Sequence, residues 1–291
     1  MKPAIKRLSE QCVSYEYDGL SNREYSILFQ SDQHFDSVDC NRDLLNKHLT
    51  QVKDMGSTCF MLGDLFDGMG TQGDRRGSKS TLRPELKQTS YLNALVDEAV
   101  KLLTPYANNI AAIARGNHEE TLLKYTEFDV LSATIQRLNT ETGSNIVPMG
   151  YTGWIFLRPL RKRHAREKMD PIKTIKIAYT HGHTGGVVTR GVLGVNRKSL
   201  VYPDANIIIS GHLHESWQME ICRNRITKSG NVNIDSQWHC QLPTYKQNPE
   251  DGRGWEHMKG FAPRPLGGYW LDLSYVMSNS HEIEFNLRRA M

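Results

Sequence analysis

The stretch IAAIARGNHEE, residues 110–120, decides how the rest of the chain is read. Its apolar half, Ile110 to Ala114, has the length of a short buried strand. Arg115-Gly116 stops that strand, so Asn117, His118 and Glu119 stand at its carboxyl end, where open α/β sheets hold ligands and catalysts. Alone, an Asn-His pair after a glycine reads as turn chemistry, because Asn tolerates left-handed backbone and bonds its own main chain. Four other strand-like runs change that reading. YSILFQS (25–31) leads into SDQH, TCFML (58–62) into GDLFD, IKTIKIAYT (172–180) into HGH, and ANIIIS (205–210) into GHLH.

Working outward, helical spacing predicts a helix capped by Asp39 and running to about residue 55, with Leu44, Leu45, His48, Leu49 and Val52 on one face. A second is expected over about 84–103, with Leu92, Leu95, Val96, Ala99 and Leu103 as its buried stripe, and a third over about 128–140. Late in the chain the alternation turns to hairpins: SWQMEICRN with NVNIDSQWH, then GGYWLDLSY with HEIEFNLRR. Residues 1–24 read as an irregular lead-in, and 215–291 as a strand-rich completion of a single domain spanning 1–291.

Bulk properties exclude several classes. No window approaches the roughly 18 apolar residues of a membrane span, and the basic start MKPAIKRLSEQ lacks the apolar core of a secretory signal. Five cysteines without C-x-x-C spacing argue for reduced thiols, so a cytoplasmic location is expected and no membrane partner. A net charge of +4 permits a polyanionic partner without demanding one.

The chemistry sits at the strand ends. Asp32 and His34, Asp64 and Asp67, Asn117 and His118, His181 and His183, and His212 and His214 are oxygen and imidazole donors with no thiolate among them. Such a set suits manganese, iron or zinc in a hydrolytic site. In an extended segment Asp32 and His34 point to one side and can grip one ion, as can His212 and His214. Other readings compete at two positions: Asp67 fits an N-cap, and Glu119 fits the acidic first turn of a helix. Cys59 reads as core, and Trp217, Trp238 and Trp270 as sandwich core or rim, not as a base-stacking platform.

The ordered set SDQH, GDLFD, GNHE, THGH, GHLH resembles the calcineurin-like metallophosphoesterase superfamily and covers residues 32–214 in that family's order. The resemblance implies an α/β fold, a four-layer α-β-β-α sandwich with two mixed sheets, and two divalent ions, manganese first, with iron, zinc or nickel as alternatives. By it, one ion falls to Asp32, His34, Asp64 and His214, and the other to Asp64, Asn117, His181 and His212, with Asp64 bridging. His118 would face the scissile phosphate without binding metal, and a metal-bridging hydroxide would attack. The family places its ligand before the glycine, which selects His181 over His183; the latter is left to substrate or to a turn. Asp67, Glu119, Arg115, His183, Arg75 and Arg76 are the candidates for orienting ligands or touching substrate.

The expected function is hydrolysis of phosphodiesters, with DNA, RNA or nucleotides as substrates. Basic loops over 68–87 and 158–168 are the candidate polyanion contacts, and 183–199 carries Arg190, Arg197 and Lys198. A phosphomonoesterase or protein phosphatase is the second reading, resting on Arg115 as a clamp for a phosphate dianion. The third is an inactive scaffold of the same fold, disfavoured because every ligand position and His118 is filled.

Overall fold

The computed structural model describes residues 3–18, 24–70, 81–161, 170–171, 174–182, 189–247, 260, 262–276 and 282–291. The lead-in expected to be irregular forms a hairpin, β1 (Ala4–Ser9) and β2 (Cys12–Asp18). Val13, Tyr15 and Tyr17 alternate along β2 and enter the core between the sheets. That period-two signal is carried by tyrosines, whose hydroxyls mask it in a purely apolar count. The Tyr15 and Tyr25 hydroxyls lie 2.6 Å apart and both meet Thr58, so the buried polar tips are satisfied.

The chain continues through β3 (Glu24–Gln30), α1 (Arg42–Asp54), β4 (Thr58–Leu62), α2 (Tyr91–Leu103), β5 (Ile110–Ala114), α3 (Asn117–Thr126), α4 (Val130–Thr142) and β6 (Val147–Met149). Asn41, not Asp39, caps α1, its side chain accepting from Leu44 N at 2.9 Å. The helix expected from 84 breaks into a 3-10 turn, Pro84–Leu86, and α2 beginning at Tyr91. Between them lie Thr89 and Ser90, side chains that compete with helical backbone bonds. Asp129 caps α4 through Ser132 N, and Gly143 ends it at φ 67°.

Next come β7 (Thr152–Arg161), β8 (Asp170–Pro171), β9 (Ile175–Thr180), α5 (Gly194–Val201), β10 (Ile207–Ser210), β11 (Trp217–Ile226), β12 (Val232–Gln241), β13 (Gly268–Val276) and β14 (Glu282–Ala290). They complete two mixed sheets, ordered β1-β2-β7-β9-β10-β12-β11, with β8 on β7, and β14-β13-β3-β4-β5-β6.

Between the sheets Ile27, Phe29, Phe60, Leu62 and Ala112 meet Ile155, Leu157, Ile177, Ile207 and Ile209. On the far side of the second sheet Leu28, Met61 and Ile113 pack against Leu45 and Leu49 of α1, Leu95 and Ala99 of α2, and Leu131 and Ile135 of α4. On the first sheet's outer face, among the described residues, Ala178 and Ile208 lie beneath Ala205 and Tyr202, next to α5. The fold is the four-layer sandwich expected. Strands β3, β4 and β5 are mutually parallel, and so are β9 and β10. Their carboxyl ends deliver the five motifs to one edge of the sandwich.

Candidate metal centre

The loops at that edge are held in backbone that side chains rarely adopt. Asp32, His34, Asp64, His212 and His214 have φ of 55°, 45°, 52°, 73° and 54°. Among described non-glycine residues only Glu127 and Arg190 join them. Each such residue costs of order 1 kcal/mol, and strain concentrated this way marks functional sites. It is maintained by a backbone lattice: Asp32 N donates to Gly63 O at 2.9 Å, His34 N to Asp64 O at 3.1 Å, and Tyr245 N to Asp32 O at 3.0 Å. Gly116 and Gly211 permit the close approach. A Cβ on the first would strike the Asp64 carboxylate, and on the second Ser31 Oγ and the Asp32 carboxylate.

Six predicted ligands fall into two groups whose donor atoms lie within 4.8 Å of one another: Asp32, His34 and His214, and Asp64, His181 and His212. In the first, His34 Nε2 is 3.3 Å from His214 Nε2, which is 3.2 Å from Asp32 Oδ1. In the second, His181 Nε2 is 3.0 Å from Asp64 Oδ2, and Asn117 Oδ1 is 2.6 Å from His212 Nδ1. Asp32 Oδ1 is also 3.8 Å from His181 Nε2, so the groups adjoin. Asp32 Oδ1 and His181 Nε2 are buried without a directed hydrogen bond.

The tautomers are set from behind. His181 Nδ1 donates to Leu62 O at 3.0 Å, and His34 Nδ1 faces Asp67 Oδ1 at 3.0 Å, which turns both Nε2 atoms toward the carboxylates. Converging lone pairs and carboxylate oxygens in a buried pocket fit divalent cations. His34, Asp64 and His118 form a third such group, so geometry alone offers His118 as a ligand too.

His118 occupies the first turn of α3. Its Nδ1 lies 2.5 Å from the Asp67 carbonyl and its Nε2 3.8 Å from Asp64 Oδ2, while its backbone N–H donates to Asp64 Oδ1 at 2.9 Å. Burial pushes its pKa down, but the negative charges of Asp64 and Asp67 outweigh that and leave it raised.

The outer residues sort clearly. Asp67 also pairs with Lys246 Nζ at 2.9 Å, so its carboxylate orients His34 and does not cap a helix. Glu119 fills the α3 first turn and does more: it accepts from Gly116 N at 2.7 Å, Asp64 N at 3.1 Å and Phe66 N at 3.0 Å, tying GDLFD to GNHEE. Arg115 turns its guanidinium to Asp129, with Ser132 and Glu120 nearby. His183, Arg75, Arg76 and most of the 158–168 run lie outside the described residues.

Two participants escape the sequence reading. Asp36, fully buried, accepts from Asp67 N at 2.5 Å and Gly68 N at 2.9 Å, fixing the loop whose carbonyl holds His118. Burial and the Asp67 charge push its carboxyl up to about 6. Its spacing two residues past His34 was the available signal. Lys246 had none, since only topology carries residue 246 back to the second motif.

A family model described as calcineurin-like phosphoesterase matches residues 25–216. No curated protein matches the chain by sequence. Among solved structures, a predicted phosphoesterase of Streptococcus pneumoniae TIGR4 is 12% identical over 91% of this chain and 98% of its own, with a TM-score of 0.33. Vps29 of Chaetomium thermophilum is 9% identical over 92% and 96%, with a TM-score of 0.36. GAP50, the anchor in the inner membrane complex of Plasmodium, is 10% identical over 92% and 89%, with a TM-score of 0.36.

Proposed function

The chain belongs to the calcineurin-like phosphoesterase family, and from that premise we propose that it is a metal-dependent hydrolase of phosphodiesters. The observation that carries the reading is the convergence of the carboxylate oxygens and imidazole nitrogens of Asp32, His34, Asp64, His181, His212 and His214. Asp32, His34, Asp64 and His214 would hold one divalent ion, and Asp64, Asn117, His181 and His212 the other. Such ions supply charge neutralisation at the phosphoryl oxygens and ease deprotonation of the attacking water.

The chain's own residues supply the rest. Because His118 Nδ1–H is spent on the Asp67 carbonyl, Nε2 is the edge left for substrate. Its proton passes to the leaving oxygen as the P–O bond breaks, while water adds its oxygen to phosphorus and releases a proton to solvent, from which His118 is recharged; the products are an alcohol and a phosphomonoester. Glu119 and Asp36 keep the two loops in register. Arg115 supports the diester over the monoester, because its Nη2 turns to Asp129.

The test is hydrolysis of bis(p-nitrophenyl) phosphate and p-nitrophenyl phosphate by manganese-loaded protein, with and without EDTA. EDTA-sensitive turnover that is faster on the diester is expected. Faster turnover of the monoester replaces this reading with the phosphatase one, and no EDTA-sensitive turnover of either refutes both.

A further inference from the structure

We propose that the His214 side of the metal centre is a track for a single strand of nucleic acid, formed by Arg190, Arg264, Lys198 and Trp217. The proposal rests on the phosphodiesterase reading of the same site and names its substrate class.

Glu215 follows His214 directly, so the ligand loop fixes where its carboxylate stands. Arg264 Nη1 donates to Glu215 Oε1 at 2.7 Å, and Arg190 Nη1 lies 3.9 Å from Oε2. Two guanidiniums share one carboxylate. Lys198 adds a third cation: its Nζ is 2.7 Å from Ser210 Oγ and 6.0 Å from the centre of the Trp217 indole. Burial pushes that amine down only to about 8, so it stays charged at neutral pH. Among the described residues, two guanidiniums and an amine stand with one carboxylate, Glu215, on this flank, next to a pocket whose own carboxylates would be neutralised by bound metal.

The aromatic ring is part of the same unit. Trp217 Nε1 donates to the Arg190 carbonyl at 2.9 Å. Arg190 and Gly191 have φ of 49° and 80° inside a turn closed by Val192 N to Thr189 O at 2.9 Å. The indole therefore holds an arginine in left-handed backbone while its side chain remains 62% exposed. These residues come from four separate segments: the turn after β9, α5, the start of β11 and the run before β13. Glu215 and Trp217, one and three residues past the ligand His214, gather them.

Guanidiniums suit phosphate oxygens, and an indole suits the face of a base. An isolated phosphate would engage one cation and leave the ring idle, whereas a strand crossing the centre offers phosphates and unstacked bases together. A duplex would keep its bases stacked and out of reach of Trp217.

Binding is read without turnover. Manganese-loaded protein is titrated against dye-labelled oligo-dT and oligo-rU of ~15 nucleotides with hydrolysis-resistant phosphorothioate linkages, within single-strand site sizes, by fluorescence anisotropy over a range of salt. Saturable binding is expected, with a log K against log salt slope near −2, from about −0.7 per neutralised phosphate. Binding of either oligonucleotide or both supports the track and says which sugar it accepts. Arg190→Glu, at an exposed side chain, should weaken binding at least tenfold and flatten the slope, with an unchanged melting temperature as the check on folding. The proposal is overturned if neither oligonucleotide binds, if inorganic polyphosphate of equal charge or a duplex binds as tightly, or if Arg190→Glu stays within twofold of wild type. Loss of the phosphodiesterase reading would appear separately, in wild-type hydrolysis of bis(p-nitrophenyl) phosphate.

Discussion

Replacing Glu119 tests whether one buried carboxylate joins the two central motifs. It is 1% exposed and accepts three backbone N–H groups, from Asp64, Phe66 and Gly116. Hydrogen bonds to a charged group contribute about 1.5–3 kcal/mol each, and a buried N–H left without a partner costs about 1–3 kcal/mol. In Glu119→Gln the one remaining carbonyl oxygen keeps Asp64 N and Gly116 N, which share Oε2, and the new NH2 is set against Phe66 N–H. That should destabilise by about 2 kcal/mol. Glu119→Ala strands all three donors and should lose at least about 4 kcal/mol. At about 2 °C per kcal/mol for a chain of this size, the melting temperature should fall by about 4 °C and at least about 8 °C. Calorimetry in EDTA, so that metal does not contribute, is the assay. It belongs near pH 8, because burial and the Asp64 charge push the Glu119 carboxyl up to about 7. If Glu119→Ala melts within about 2 °C of wild type, the carboxylate is not the tie described, and the register of the two loops has another origin.

His118→Ala should retain both metals by elemental analysis while turnover of the chromogenic diester falls a hundredfold or more, the scale of a lost general acid; loss of metal would instead make it a ligand, as its grouping with His34 and Asp64 permits. His239 bears on acid stability. Burial, then Lys198 and Arg223, push its pKa down to about 4, so as pH falls the unfolded chain takes up this proton near 6.5 and the folded chain only near 4. The stability it contributes is present above 6.5 and is lost across that window, at no more than about 1.4 kcal/mol per pH unit. Denaturant titrations of His239→Gln should show a shallower decline between pH 6.5 and 4 than wild type, and parallel curves would contradict the assignment.

Much of the site was legible because the strands that carry it are short and apolar and stop at motif residues: the runs before SDQH, GDLFD, GNHE, HGH and GHLH all end where β3, β4, β5, β9 and β10 end. What was not legible falls into two kinds. Local structure misled at 87–90, where the chain leaves a 3-10 turn before α2 begins, and at β2, where tyrosines carry the buried alternation. Long-range placement misled at Lys246 and Arg264, which reach the motif loops only because the run after β12 doubles back over them, with Thr244 Oγ1 and Tyr245 N both donating to the Asp32 carbonyl. No spacing rule reports such a return. Arg115 shows the reverse: its position beside GNH suggested a phosphate clamp, but Asp129, fourteen residues on, engages it.

We propose that Asp64 would serve both ions of a two-ion centre, and metal stoichiometry tests this most directly. Protein stripped with EDTA and reloaded with manganese should hold two ions per chain by calorimetric titration and elemental analysis, and Asp64→Asn should weaken both together. A wild-type chain that saturates at one ion, or an Asp64→Asn chain that still binds two at wild-type affinity, would contradict it.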